Sequence, residues 1–313
     1  MKGIRTFCEL NLIIGRFAVC NRSRFVVSLT RMEKRGKQKS RFWSTTGKLI
    51  GVLLGLLLLN RIVYYALLPM IFFHAGFSEE AFDRLRENGS VRALEIPTEH
   101  GMLYGWETGE NPRKVALYFG GDSIDSNAWL DGLIASGQNS VFQDMTLLTV
   151  DYPTFGRSPG PISEQRFLET AETLYSYALD RFPDASMCLI GYSLGCSAAL
   201  SLAESHTTDG LILIAPMFDG TSMYFPRDSL PHNWFERTAS VKLNNDLLAT
   251  NVSERTLVIY SDSDQITKRV DVEALCALFP TMPTRVCVPP CDHGAYWTVL
   301  ETGEAIQRFL ESM

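Results

Sequence analysis

Ser193 stands in Gly191-Tyr192-Ser193-Leu194-Gly195, directly after the apolar run MCLI at 187–190 and before Cys196-Ser197-Ala198-Ala199, small residues that open an amphipathic stretch. A strand, a sharp turn and a helix are the context in which a G-x-S-x-G serine is presented as a nucleophile. The glycines have a steric reason: the serine sits in a strained conformation, and side chains at 191 and 195 would collide with the neighbouring strand and helix. A serine hydroxyl at its ordinary pKa attacks carbonyls poorly and needs a base, itself oriented by a carboxylate. With this turn the three groups come in the chain order serine, acid, histidine. Of His74, His100, His206, His232 and His293, only His293 follows both Ser193 and an acid at a strand end. It lies in CDHGAYW, after the last apolar run and before the last amphipathic one. The acid is Asp262 or Asp264 in TLVIYSDSDQIT. Asp292 is unsuited, because adjacent loop residues seldom bring a carboxylate onto the next residue's imidazole.

Acyl transfer also requires two backbone N–H groups aimed at the developing oxyanion. Leu194, next to the nucleophile, offers one. The loop Phe119-Gly120-Gly121-Asp122 offers the other, by position Asp122, with Gly121 as the alternative; its paired glycines let the backbone approach a substrate closely.

The elements that must carry these residues are legible from about Phe77 onward, with no low-complexity linker or solenoid-period repeat to divide them. Short β-rich runs VRALEI, MLYGWET, KVALYF, MTLLTVDY, MCLIGYS, GLILIAP, TLVIYS and TRVCVPP alternate with helical patterns over residues 128–136, 164–181, 194–204, 270–279 and 295–310. The first two runs form a hairpin through Glu99–Gly101. The later six are nearly continuously apolar, as strands covered on both faces are. An α/β architecture follows, with a mostly parallel sheet, right-handed crossovers and its chemistry in loops at the carboxyl ends of strands.

The FGG loop, Asp151-Tyr152-Pro153-Thr154-Phe155-Gly156-Arg157-Ser158, GYSLG, SDSDQIT and DHG together resemble, in order and spacing, the α/β-hydrolase superfamily. Within it they look like the membrane-anchored serine hydrolases often labelled α/β-hydrolase-domain or serine-aminopeptidase-like proteins. The resemblance covers residues 94–313 and implies a mostly parallel eight-stranded sheet with helices on both faces and a short cap. It favours Asp264 as the acid, since Ile266 two residues later resembles the Asp-x-Ile/Val pattern of many such enzymes; Asp262 is the alternative. Two positions depart from the group's pattern: its His-Gly-Asn loop reads Gly-Gly-Asp, and the Arg of its DYRGFGxS is Pro153. The first departure puts an acid where a neutral amide is expected, with consequences for pH dependence or substrate charge.

Charge and apolarity complete the reading. The 313 residues include 29 Lys+Arg and 35 Asp+Glu, net −6, with 46% hydrophobic residues, which excludes a disordered or collagen-like chain. Residues 1–48 hold twelve basic residues against Glu9 and Glu33, leaving 17 basic and 33 acidic residues from Leu49 onward. An acidic body of −16 argues against nucleic acid as a partner. Residues 49–73 are apolar except Asn60 and Arg61 and would span about 37 Å as a helix, enough for a hydrocarbon layer of ~30 Å. A mid-membrane Arg61 costs about 2.5–3.5 kcal/mol, which a span starting near Phe42 avoids by placing Arg61, Tyr64 and Tyr65 at the far interface. Without a small-x-small cleavage site the segment reads as a retained signal anchor, N-terminus cytoplasmic and body extracytoplasmic. Met32 precedes EKRGKQKSRFW and would itself start such an anchor, making residues 1–31 a start-site artefact. The expected organisation is thus a basic segment 1–48, an anchor 49–73 and a catalytic domain 77–313.

Seven cysteines, Cys8 and Cys20 in the head and five in the body, give no complete disulfide framework. Cys287, Cys291 and His293 fit no common zinc spacing, so no metal is expected, and the chemistry needs no cofactor. About forty residues between GLILIAP and TLVIYS, with Met223, Tyr224, Phe225 and Trp234, allow a short cap only, consistent with a small-molecule or lipid-like acyl substrate. The expected activity is ester hydrolysis through an acyl-enzyme. Thioesterase or peptidase chemistry, a non-catalytic tethered binding protein and a cytoplasm-facing depalmitoylase-like enzyme are the alternatives.

Overall fold

The computed structural model describes residues 45–62, 75–238 and 241–313; the basic head before residue 45, with the proposed start at Met32, and residues 63–73 of the expected anchor lie outside the described residues. Contacts divide the chain into two units, Met1–Val63 and Tyr64–Met313. In the first, helix α1 (Thr45–Ile62) is mostly apolar, and its large aliphatic side chains, from Leu49 to Ile62, are exposed. At 1.5 Å per residue its 18 residues rise about 27 Å, long and apolar enough to cross a membrane.

The second unit is built on an eight-stranded sheet in the order β1-β2-β4-β3-β5-β6-β7-β8. The strands are β1 (Val91–Thr98), β2 (Gly101–Thr108), β3 (Lys114–Phe119), β4 (Thr146–Val150), β5 (Ser186–Tyr192), β6 (Gly210–Ile214), β7 (Thr256–Ser261) and β8 (Thr284–Val288). β1 and β2 pair antiparallel, as do β2 and β4, and every other pairing is parallel. Helices α2 (Glu79–Glu87), α3 (Ser126–Ala135), α4 (Glu164–Arg181), α5 (Gly195–Ser205), α6 (Leu230–Thr238), α7 (Asn245–Ala249), α8 (Arg269–Cys276) and α9 (Leu300–Glu311) complete it.

Strand side chains alternate between faces with a period of two, which sorts the apolar runs into two cores. Val115, Leu117, Phe119, Leu189, Leu211, Leu213 and Val258 meet Phe167 and Leu174 of α4, Leu202 of α5 and Leu275 of α8. Their strand neighbours Ala116, Tyr118, Ile190, Ile212, Ile214 and Ile259 meet Trp129 and Leu133 of α3 and Ile306 and Phe309 of α9. Full burial of one such side chain is worth about 1.5–3 kcal/mol, so both faces of the sheet are strongly specified.

Two elements differ from the sequence expectation. The helix expected over 295–310 is a 3-10 turn, His293–Thr298, followed by α9; Val299 between them is extended, with φ −94 and ψ 121, at a pair of β-branched residues. Helix α2, outside the expected helical patterns, buries Ala81 and Leu85 and packs Phe82 on Trp106, and it is also tied to α3: the Ser78 N–H donates to Asp125 at 2.8 Å and Arg84 forks onto Asp131 at 2.7 and 3.1 Å.

Candidate active site

Register brings the sequence-derived residues to one end of the sheet. Phe119 pairs with Gly191, Tyr192 with Ile214, Ile214 with Ile259 and Ser261 with Val288, so the loops after β3, β5, β7 and β8 emerge side by side at carboxyl ends. Ser193 leaves β5 with φ +51, a left-handed conformation that costs a non-glycine residue about 1–3 kcal/mol. The turn holds it there: its N–H donates to the Ile214 carbonyl at 2.9 Å and its own carbonyl accepts from Cys196 N–H at 3.0 Å. Glycine is required on both sides. A Cβ at Gly191 would lie 2.5 Å from the Cα of Cys196, and one at Gly195 would lie 2.0 Å from the Phe119 carbonyl oxygen.

The three groups inferred from sequence meet in hydrogen-bonding order. Ser193 Oγ lies 2.7 Å from His293 Nε2, and His293 Nδ1 lies 2.8 Å from Asp264 Oδ2. Ser193 is 4% exposed, the Asp264 side chain is fully buried and the imidazole keeps 21% of its surface. Asp264 also accepts from the N–H groups of Ile266 and Thr267 at 2.8 and 2.9 Å and from the Thr267 hydroxyl at 2.8 Å. Burial pushes its carboxyl up, but the His293 contact and the Thr267 donors outweigh that and hold it below the usual carboxylate value, so it is an anion facing an imidazole. Asp262 does not enter the site: it is exposed and pairs with Arg269 at 3.1 Å. Asp292 is exposed as well.

Leu194 precedes α5, whose leading N–H groups have no partner within the helix. The Gly120–Gly121–Asp122 loop presses on Ser193, since a Cβ at Gly121 would lie 3.4 Å from Ser193 Cβ and 3.1 Å from the Tyr192 ring. Two residues of the DYPTFGRS segment hold this loop. The Tyr152 hydroxyl donates to the Gly120 carbonyl at 3.2 Å, and Asp151 accepts from Ser126 N–H at 2.7 Å at the start of α3. Asp125 caps the same helix, accepting from Ala128 N–H at 2.9 Å. Half-buried Asp122 closes the loop, its Oδ1 accepting from Ser123 N–H at 2.9 Å.

Three hydroxyls at the site are not marked by sequence pattern. The Tyr192 hydroxyl donates to the His293 carbonyl, the Tyr296 hydroxyl lies 3.0 Å from Asp264 Oδ2, and Ser261 Oγ accepts from Cys291 N–H at 3.0 Å. The only available signal was the three-residue spacing of His293 and Tyr296, which means little until the turn is known to be 3-10.

In the segment between β6 and β7, Phe225 stacks on Phe235 of α6 and Met223 packs on the core, whereas Tyr224 and Trp234 are about half exposed. Asp219, His232 and Glu236 gather their side-chain atoms within 4.8 Å of one another. They are bonded to one another and to the neighbouring loop: His232 Nε2 lies 3.0 Å from Asp219, and the Thr221 hydroxyl donates to Glu236 at 2.6 Å. These bonds account for the cluster as a fastening of α6. Cys188, Cys196, Cys276, Cys287 and Cys291 are free thiols. A groove of about 600 Å3 lies between the β1–β2 hairpin and α4, lined by Glu99, His100, Arg166 and Glu169 among others, and includes none of Ser193, Asp264 and His293.

Sheet order, crossovers and the strand–turn–helix at Ser193 define the α/β-hydrolase fold, and a family model described as alpha/beta hydrolase fold matches residues 126–251. The chain is 27% identical over 157 residues to the multifunctional-autoprocessing repeats-in-toxin of Vibrio vulnificus, covering 45% of this chain and 3% of that protein. It is also 27% identical over 162 residues to an uncharacterized protein of Acanthamoeba polyphaga mimivirus, covering 49% of each. The chain thus spans about half or less of the length of these relatives. Among solved structures it is similar to Est1E from Butyrivibrio proteoclasticus with ferulic acid bound, at TM-score 0.58 and 14% identity over 70% of this chain and 98% of that one. An esterase from Pyrococcus furiosus follows at TM-score 0.54 and 16% identity, covering 71% and 90%. A serine hydrolase without lid from Xanthomonas campestris gives 0.53 and 16%, covering 72% and 95%. Identities this low establish the fold and leave the activity to be argued from the site.

Proposed function

We propose that this protein is a membrane-anchored serine hydrolase that cleaves a carboxylic ester or a related acyl bond. The observation that carries the reading is the chain of contacts from Ser193 Oγ, on a turn at φ +51, to His293 Nε2 at 2.7 Å and from His293 Nδ1 to buried Asp264 at 2.8 Å. Ser193 Oγ attacks the acyl carbon while its proton passes to His293 Nε2. The backbone N–H groups of Leu194 and Asp122 receive the oxyanion. As the tetrahedral species collapses, the bond to the leaving group breaks and His293 returns the proton to it. Water then attacks the acyl-enzyme with His293 as base, releasing the acid and restoring Ser193. Asp264 keeps the imidazole in the tautomer whose Nε2 accepts.

Esterases and a serine hydrolase among the structures of similar fold support the reaction class. The short cap, with Tyr224 and Trp234 half exposed, favours acyl or lipid-like substrates over large ones. Helix α1 and the basic head support an anchor with a cytoplasmic N-terminus and a catalytic domain, residues 77–313, on the other side. A fluorophosphonate probe tests the reading: the wild type should take up one label and Ser193→Ala none. An unlabelled wild type leaves the alternative of a tethered binding protein.

A further inference from the structure

The mechanism above makes no use of the Tyr296 hydroxyl. His293 and Tyr296 stand three residues apart in the 3-10 turn His293–Thr298, and at three residues per turn the side chains at i and i+3 lie one over the other. Both reach the same oxygen: Asp264 Oδ2 lies 2.8 Å from His293 Nδ1 and 3.0 Å from the Tyr296 hydroxyl. The phenol is fully buried and its orientation is fixed, because the N–H of Ser261, the last residue of β7, donates to it at 2.9 Å. An oxygen that accepts from an N–H keeps its own proton to give, and the carboxylate is the acceptor in reach. Burial and the nearby Asp264 push the phenol well above its ordinary pKa, so it remains a donor.

We propose that Tyr296 is a positioning residue, whose hydroxyl shares Asp264 Oδ2 with His293 and limits how strongly that carboxylate holds a proton on the imidazole. The assignment rests on the serine-hydrolase reading. With the phenol bond removed, more of the carboxylate's charge falls on Nδ1–H, and His293 keeps its second proton to higher pH. A histidine that already carries the proton cannot take one from Ser193. The other titratable groups around the pair are Tyr192, stacked on the imidazole at 5.9 Å, the Cys291 thiol and the exposed Asp292 carboxylate. Burial pushes both Tyr192 and Cys291 up, leaving them neutral where the enzyme works.

The test is Tyr296→Phe in the full-length protein, with p-nitrophenyl butyrate hydrolysis followed across pH alongside thermal unfolding. At pH values on the acid limb, Tyr296→Phe should lower kcat about tenfold or more, the effect expected from losing a hydrogen bond to a charged group, with KM little changed. The acid limb of kcat/KM should move to higher pH. A lower Tm with an unmoved limb and unchanged kcat would mean that the ring merely packs, and would overturn the proposal. If Tyr296→Phe does not fold, 3-fluorotyrosine at position 296 keeps the hydroxyl and makes it a stronger donor. The limb should then move to lower pH, and an unmoved limb again overturns the assignment. A wild type inert to both the ester and a fluorophosphonate is a different result, which removes the hydrolase reading itself.

Discussion

Gly195 faces the carbonyl of Phe119 so closely that a Cβ on it would lie 2.0 Å from the oxygen and 2.6 Å from the Gly120 oxygen. The turn that carries the candidate nucleophile and the loop that would bind the oxyanion are therefore packed backbone to backbone. No side-chain rearrangement can relieve an added methyl group there, because every atom it meets belongs to the main chain.

Gly195→Ala should therefore destabilise the protein by about 1–3 kcal/mol or more and displace the Gly120–Asp122 loop from Ser193. Chemical denaturation reads the first effect and the rate of fluorophosphonate labelling the second. Wild-type values for both would mean that the two loops are not in this contact.

The two acids after β7 separate cleanly by substitution. Asp264→Asn keeps the shape but favours the wrong histidine tautomer and should cost on the order of 10^3–10^4 in kcat. Asp262→Asn removes only an exposed pair with Arg269, worth about 1 kcal/mol or less, and should leave kcat within about twofold. Steady-state ester hydrolysis by the two variants decides between them, and the reverse ranking would reassign the acid.

Burial raises the Asp151 carboxyl from 3.8 to about 7, with Ser126 N–H lowering it and Asp125 raising it further. Between about pH 4 and 7 the folded chain keeps this proton and the unfolded chain has lost it, so the group's contribution to stability falls as pH rises through that window. Asp151→Asn retains an acceptor for Ser126 and cannot ionise; its Tm relative to wild type should climb from pH 5 to 8. A difference independent of pH would mean that Asp151 is ionised throughout. Asp264 acts in the opposite sense: held below its ordinary value, it adds stability above about pH 4 that is lost as pH falls through its folded value.

The anchor is tested by extraction. The full-length chain should stay with membranes in alkaline carbonate, and a chain lacking residues 1–73 should pass to the supernatant. Release of both would remove α1 as an anchor.

Much of the candidate site was legible because residue type and spacing mark it: GYSLG points to Ser193, chain order points to His293, and continuous apolar runs reveal strands covered on both faces. Asp264 emerged over Asp262 from a resemblance, and the physical reason, Thr267 and His293 converging on a buried carboxylate, depends on the fold. Tyr152 and Tyr296 were illegible for a general reason. An aromatic residue in an apolar neighbourhood reads as packing, and the partner of its hydroxyl is set by strand register and by the hand of a short turn. Helix α2 was missed because only Ala81, Phe82 and Leu85 of its nine residues are apolar, too few to show a helical period.

On the proposed mechanism Ser193 forms a covalent acyl intermediate. Rapid mixing of the full-length protein with excess p-nitrophenyl acetate, followed by acid quench and peptide mass analysis, tests it most directly. A burst of nitrophenol equal to the enzyme present and an acetyl group on the peptide bearing Ser193 are expected, with neither in Ser193→Ala. Turnover by wild type with no burst and no acylated Ser193, or an equal burst from Ser193→Ala, would contradict it.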